Sequence, residues 1–296
     1  MEVAPGIHRI EADLGERFVC QYLLVGDERT LLVDTGLRDM PRDVIAPHLE
    51  RLGRALADVD DVLISHADVD HCGGNASLRA AAPRARLLCG EDDRPWIESN
   101  AAMLAGNYRW YEPYGFGPPA EDVAFIQREL GGDAPVDVGL RGGETLRLGP
   151  NRRIDVLALP GHTPGHLGLW DTAAGAAIIL DAALADGVVD RAGRRLIPPR
   201  YYAAGDYEAT VRRLRALDPD LLLTAHWPVM ERAAARAFLD GSLGFVARMR
   251  SAVQGAVRRG VTELWPLTQA VDDELGPFPS FAHELAASVR AHLAEV

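Results

Sequence analysis

Four potential metal donors, His66, Asp68, Asp70 and His71, fall within six consecutive residues of the segment Ser65-His66-Ala67-Asp68-Val69-Asp70-His71-Cys72-Gly73-Gly74. They follow the apolar run Val62-Leu63-Ile64, so a buried strand delivers them to its own end. A loop at a strand tip can turn alternate side chains toward one point, and imidazole with carboxylate suits Zn, Fe or Mn. Taken alone, the string would equally serve as a polar turn with a solvated acidic patch. Three other positions decide between the two readings.

Each of these again closes a strand-like run. Leu157-Ala158-Leu159 leads into Pro160-Gly161-His162-Thr163-Pro164-Gly165-His166, Ala177-Ile178-Ile179-Leu180 leads into Asp181, and Leu221-Leu222-Leu223-Thr224-Ala225 leads into His226. His66, His71, His162 and His226 thus share one kind of setting. His8, His48, His283 and His292 lie in ordinary strand or helix patterns and read as structural or exposed.

In order and surroundings these residues resemble the metallo-β-lactamase fold superfamily of metallohydrolases. Its signature is H-x-H-x-D-H, a His in a G-H-T-P-G-H-like turn, a metal-bridging Asp and a final His. The resemblance runs from about Ile7 to His226 and implies a four-layer αββα sandwich of two mixed β-sheets flanked by helices. It also implies two divalent metal ions, with Zn the default. His66, Asp68 and His162 would hold the first ion, Asp70, His71 and His226 the second, and Asp181 would bridge them. A bridging hydroxide would be the nucleophile, its pKa brought from about 15.7 toward neutrality, with the ions about 3.5–4 Å apart. Asp70 and Asp181 are then the catalytic carboxylates, Asp70 or water protonating the leaving group.

Asp68 departs from the signature, which has His there. Counting two divalent ions, Asp68, Asp70, Asp181 and one hydroxide gives a neutral core, one unit less positive than with His. A harder, more anionic ligand set favours Fe or Mn over Zn relative to the usual site. A carboxylate here also resembles the flavo-diiron branch, although nothing after His226 offers that branch's phosphate-binding loop. The alternative is that Asp68 does not bind, leaving one ion tight and the other weak. Cys72 reads as a small buried residue, and His166 as a hydrogen-bond partner of backbone or of a neighbouring ligand. In Val33-Asp34-Thr35-Gly36, Asp34 is either a support behind the ligands or a plain turn former.

The elements that must position these groups follow from periodicity. Strands are expected at Ile7 to Ala12, Phe18 to Val25, Thr30 to Val33, Val59 to Ser65 and Arg86 to Cys89, then at 144–148, 153–159, 167–170 and 176–180, with a helix at 44–56. A second helix is expected at 73–80, its N-terminal amides pointing back at the ligand loop. From about 93 to 140 the pattern breaks into an aromatic insertion with Trp96, Tyr108, Trp110, Tyr111, Tyr114 and Phe116. It suits either a cap over an apolar substrate or a local mini-core. Tyr201 and Tyr202, in the loop after Asp181, would be candidates to present a hydroxyl to a substrate oxyanion. Helices at 206–217, 231–259 and 279–295 complete the reading, the last two as a C-terminal helical extension at about 231–296 that covers the sandwich or makes a homodimer.

The chain has 296 residues, 48% of them hydrophobic, enough for one large domain spanning 1–296. The start carries no leader-like pattern, and no run approaches the roughly 18 apolar residues of a membrane span. Three cysteines, Cys20, Cys72 and Cys89, suit a reducing compartment. A cytoplasmic protein without membrane association is therefore expected. The net charge is −12 and all 31 basic residues are Arg, so no lysine-dependent phosphate loop, Schiff base or Ser-Lys dyad can form. The acidic balance also disfavours nucleic acid as a partner. The expected activity is hydrolysis of an ester, lactone or thioester of a hydrophobic small molecule. An iron-dependent redox enzyme of the same fold and a catalytically decayed metal-binding module are the alternatives.

Overall fold

The computed structural model describes residues 1–295. The first sheet takes β1 (Glu2–Ala4), β2 (Ile7–Leu14), β3 (Arg17–Val25), β4 (Thr30–Val33), β5 (Asp61–Ile64), β6 (Arg86–Gly90) and β7 (Val138–Leu140), side by side in chain order. Pairing is antiparallel through β4 and parallel from β4 to β7. The second sheet begins with β8 (Thr145–Arg147), β9 (Arg153–Ala158), β10 (Leu167–Asp171) and β11 (Ala176–Leu180). A small hairpin, β12 (Val188–Val189) with β13 (Arg195–Ile197), stands apart, and β14 (Leu221–Thr224) and β15 (Met230–Glu231) complete the second sheet in the order β15-β14-β11-β10-β9-β8. Only β11 and β14 run parallel in it.

Period-two alternation separates the layers. Leu31, Val33 and Leu63 face inward with Ile154, Val156, Ile178 and Leu223. Their neighbours Leu32, Val62 and Ile64 face outward onto Ile45, Leu49 and Leu78 of the helical side. On the other face Ala177, Ile179 and Leu222 pack under Val211, Leu214, Phe245, Met249 and Val289. Both sheets are therefore covered on both faces, which is the four-layer αββα arrangement expected.

Helices occupy Ala204–Leu217, Arg232–Arg258 and Leu285–Leu293, near the expected ranges, and a further one at Leu264–Leu275 was not expected. Its sequence, Leu264-Trp265-Pro266-Leu267, carries proline in the first turn, where a missing N–H costs nothing. The stretch 93–140 also holds helices, Arg94–Glu98, Asn100–Met103 and Ala120–Glu129. Three of its rings face the C-terminal helices. Phe116 stacks on Trp265 at 4.7 Å and Tyr111 meets His283 edge-on at 5.5 Å, while the Arg290 guanidinium lies 3.7 Å from the centre of the Trp110 ring. For these residues the mini-core reading holds, because the outer face of the second sheet supplies an apolar surface to cover.

Candidate metal centre

The donor groups gather where strand ends from both sheets meet. Asp34 follows β4, His66 follows β5, Asp181 follows β11 and His226 comes two residues after β14, while His162 lies in the turn after β9. His71 sits on a short helix, Val69–Cys72. The sheets are tied together here: Leu167 N–H donates to Ser65 O at 2.8 Å, Cys20 N–H to Ala225 O at 2.9 Å, and the Tyr22 hydroxyl to Thr224 O at 2.6 Å. Two supporting positions are non-glycine residues with left-handed backbone, Asp34 at φ 64° and Leu180 at φ 47°. A bulky residue adopts that conformation only where its surroundings hold it, and such strain collects at functional sites. At Leu180 the β11–β14 register shifts, which re-aims Asp181 into the cleft.

All seven sequence-expected donors come together in two groups, His66, Asp68, His162 and Asp181 in one and Asp70, His71 and His226 in the other, each with donor atoms within 4.8 Å of one another. The four imidazoles are held alike. His71 Nδ1 lies 2.7 Å from Asp34 Oδ2, His162 Nδ1 2.7 Å from Arg200 O and His226 Nδ1 2.8 Å from Phe18 O. His66 Nδ1 lies 2.9 Å from Ser65 Oγ, which in turn donates to Asp34 Oδ2 at 2.8 Å. Each acceptor places the ring proton on Nδ1 and leaves an Nε2 lone pair directed at the centre. Those lone pairs face carboxylate oxygens: His66 and His162 Nε2 lie 3.1 and 3.0 Å from Asp68 Oδ2, and His71 and His226 Nε2 lie 3.5 and 3.3 Å from Asp181 Oδ2. Acceptor against acceptor at such distances calls for a cation between them. Among the described residues, His71 Nε2 and Asp181 Oδ1 are buried without a hydrogen-bond partner, and a divalent ion would satisfy both. The residues present therefore fit a bound divalent metal ion.

Asp34 serves as the support behind the ligands, since its carboxylate holds His71 directly and His66 through Ser65. Asp93 plays the same part for the backbone. It accepts from Ala67 N–H at 3.1 Å, Gly165 N–H at 2.6 Å and Thr163 Oγ at 2.5 Å, joining the two ligand loops. Burial raises its pKa to about 6 against those donors. Gly165 is needed there, since a Cβ on it would collide with the Asp93 backbone nitrogen.

Sequence reasoning missed what surrounds Asp68. The Arg200 guanidinium contacts both of its oxygens, and Asn107 Nδ2 and the Tyr108 hydroxyl donate to Oδ1 at 2.9 and 3.1 Å. Arg200 Nη1 also reaches Glu284 at 3.2 Å. Burial would raise the Asp68 pKa, but Arg200 and the two imidazoles hold it well below the usual carboxylate range. The neutral charge count thus omitted Arg200, whose positive charge faces Glu284 on its other side. Proline-flanked Arg200 looks from sequence like a surface loop residue; only its hydrophobic neighbours, Ile197 and the adjacent tyrosines, hinted at burial.

Other expectations are corrected. The Tyr201 hydroxyl lies 2.9 Å from His292 Nε2, and the Tyr202 hydroxyl donates to Asn107 Oδ1 at 2.7 Å, so both are engaged in packing away from the cleft. His166 finds no hydrogen-bond partner among the described residues and stacks on His66 at 4.7 Å. His8, His48, His283 and His292 are all buried, in keeping with the structural one of the two roles expected for them. Cys72 is buried as expected, its thiol donating to Asp68 O at 3.1 Å.

The cleft over the donors is lined on one side by Leu184, Val188, Ile197 and Phe281, on another by Phe125, Ile126 and Tyr108, with Arg17 and Arg200 among the polar walls. Tyr108, Phe125 and Ile126 are thus the parts of the 93–140 stretch that line this cleft. Arg17 lies 3.6 Å from Asp70. Among the described residues, no helix is long and apolar enough to cross a membrane.

Residues 14–226 match the metallo-beta-lactamase superfamily. The uncharacterized protein YobT of Bacillus subtilis (strain 168) is 26% identical over 167 residues, 54% of this chain and 60% of that protein. The chain thus spans less than two thirds of this curated relative. A metallo-beta-lactamase family protein of Thermus thermophilus superposes with a TM-score of 0.72 at 24% identity, covering 98% of this chain and 93% of its own. A beta-lactamase domain protein of Burkholderia ambifaria gives 0.70 at 19% identity, covering 99% and 86%. A flavodiiron core from Synechocystis sp. PCC6803 gives 0.60 at 18%, covering 86% and 62%. At these identities the likeness is one of fold.

Proposed function

The chain belongs to the metallo-beta-lactamase superfamily, and on that premise we propose that it is a dinuclear metal-dependent hydrolase cleaving an ester, lactone or thioester of a hydrophobic small molecule. The observation that carries the proposal is the common anchoring of four imidazoles through Nδ1, which aims four Nε2 lone pairs at Asp68 and Asp181. His66, Asp68 and His162 would hold one ion and Asp70, His71 and His226 the other, with Asp181 between them. Bound there, the ions supply an acidified water and polarise the carbonyl under attack.

The chain's own residues do the rest. Leu184, Val188, Ile197 and Phe281 offer an apolar wall to the acyl or ring portion of the substrate and exclude water around the reacting carbon. Addition of the water oxygen to that carbon is followed by rupture of its bond to the leaving oxygen or sulfur. The proton given up by the attacking water would pass to the leaving group through Asp70, 9% exposed and lining the cleft, or through solvent. Arg17, 3.6 Å away, keeps Asp70 oriented.

The test is elemental analysis of protein purified without a metal-affinity tag, followed by a panel of lactones, esters and thioesters of increasing apolar bulk. Turnover that is lost on chelation and restored by a divalent ion is expected. Asp181→Ala should lose the second ion and lower kcat at least about 1,000-fold, as expected when a group on which the bound ions depend is removed. Two ions per chain in that variant would refute the bridging role.

A redox reading has one observation in its favour, the carboxylate at position 68 in a chain whose fold also matches a flavodiiron core. Iron as the bound metal together with oxygen consumption, and no hydrolysis across the panel, would move the assignment there.

A further inference from the structure

We infer that Arg200 makes the two metal positions unequal: the Asp70–His71–His226 position binds its divalent ion tightly, and the His66–Asp68–His162 position binds weakly because a guanidinium already occupies Asp68. The inference rests on the reading of this cluster as a metal centre.

The donor atoms of Asp68 are taken. Oδ1 accepts from Asn107 at 2.9 Å, from Tyr108 at 3.1 Å and from Arg200, and Oδ2 meets Arg200 as well as the two imidazoles. A carboxylate offers about four lone-pair directions in all, so an ion here must displace a charge-assisted bond. Arg200 cannot readily withdraw. It is 3% exposed, its Nη1 is held by Glu284 at 3.2 Å, and its guanidinium carbon lies 5.8 Å from the ring centres of both Tyr108 and Tyr202. A dication entering beside it meets an unscreened like charge.

The second position has no such competitor among the described residues. The guanidinium facing Asp70 is that of Arg17, at 3.6 Å, and among the described residues His71 Nε2 is buried without a hydrogen-bond partner. An ion entering there satisfies that orphaned nitrogen and displaces no guanidinium in hydrogen-bond contact with a donor.

The experiment is a zinc titration of the metal-stripped full chain against a chromophoric chelator, with metal content measured after dialysis. Two steps are expected, separated in Kd by on the order of 100-fold, the scale on which groups around a metal ligand alter affinity. His162→Ala should lose the weak step and keep the tight ion, while His226→Ala should lose the tight one. Arg200→Met should narrow the gap by raising the weak affinity. Two ions of equal affinity in the unmodified protein would overturn the inference without recourse to any variant. So would loss of the tight ion in His162→Ala, or an unchanged gap in a folded Arg200→Met protein. No zinc taken up at all would instead defeat the metal-centre reading on which the inference rests.

Discussion

The two halves of the donor cluster use the same residue types, yet they differ in what the protein has already done with their atoms. Around Asp68 every oxygen direction is taken by Arg200, Asn107 and Tyr108 or faced by an imidazole. Around His71 the ring is fixed from behind by Asp34 while Nε2 stays free. One half therefore already has a guanidinium on its carboxylate, while the other keeps a buried imidazole nitrogen with no hydrogen-bond partner among the described residues. Ligand identity, in short, does not determine ligand availability.

The largest expected effect tests that contrast through stability. In sequence terms Asp68→His restores the family signature and should keep hydrolysis while moving metal preference toward Zn. With Arg200 beside it, the substitution leaves a buried guanidinium with Glu284 alone. A loss of about 3–5 kcal/mol in the metal-free protein is expected, the usual result of breaking a buried pair from one side. Asp70→Ala removes a carboxylate that is also buried but whose guanidinium partner, Arg17, lies 3.6 Å away, and should cost less, about 1–2 kcal/mol. Urea denaturation of both variants reads the difference, and equal losses would erase the distinction between the halves.

Asp34→Asn comes next. An amide nitrogen opposite His71 Nδ1 would favour the other tautomer and put a proton on Nε2. Zinc affinity at the second position should fall about 10- to 100-fold, with a smaller change at the first, where Ser65 stands between Asp34 and His66. Chelator competition measures both. A larger loss at the first position would show that the anchoring runs chiefly through Ser65.

The smallest effect lies outside both halves and sets their baseline. Burial lowers the His48 pKa from 6.5 to about 4, with the N-terminal ammonium and Arg51 adding to the shift. The unfolded chain then binds more protons between those values, so the stability His48 contributes is present above pH 6.5 and lost as pH falls toward 4. After allowance for solvent screening this amounts to on the order of 1 kcal/mol. The Tm difference between pH 7 and pH 4.5 should be smaller in metal-free His48→Asn than in the unmodified protein. An identical difference would remove His48 from the account of acid sensitivity.

What could be read in advance had a local signature. His66, His162, Asp181 and His226 each close an apolar strand run, while the division of the donors into two sets came from the resemblance to the superfamily, and the structure gathers the same two sets with Asp181 among the first. Asp34 also closes such a run, but there the sequence left a support behind the ligands and a plain turn former equally open. The tyrosines misled, because an aromatic ring beside a proline reads alike whether it lines a cleft or packs under a helix. Tyr201 and Tyr202 pack, and Tyr108, one ring among many in its segment, is the one that reaches Asp68.

By itself the sequence determined the alternation that builds two sheets and the strand ends that carry the donors, since both depend on side chains close together in the chain. It did not determine the state of Asp68. That depends on Arg200, 132 residues further on, and on Glu284, another 84 beyond. A charge's partner is settled by which surfaces the folded layers bring together, and only the tertiary structure decides whether a carboxylate waits for a metal ion or is already paired.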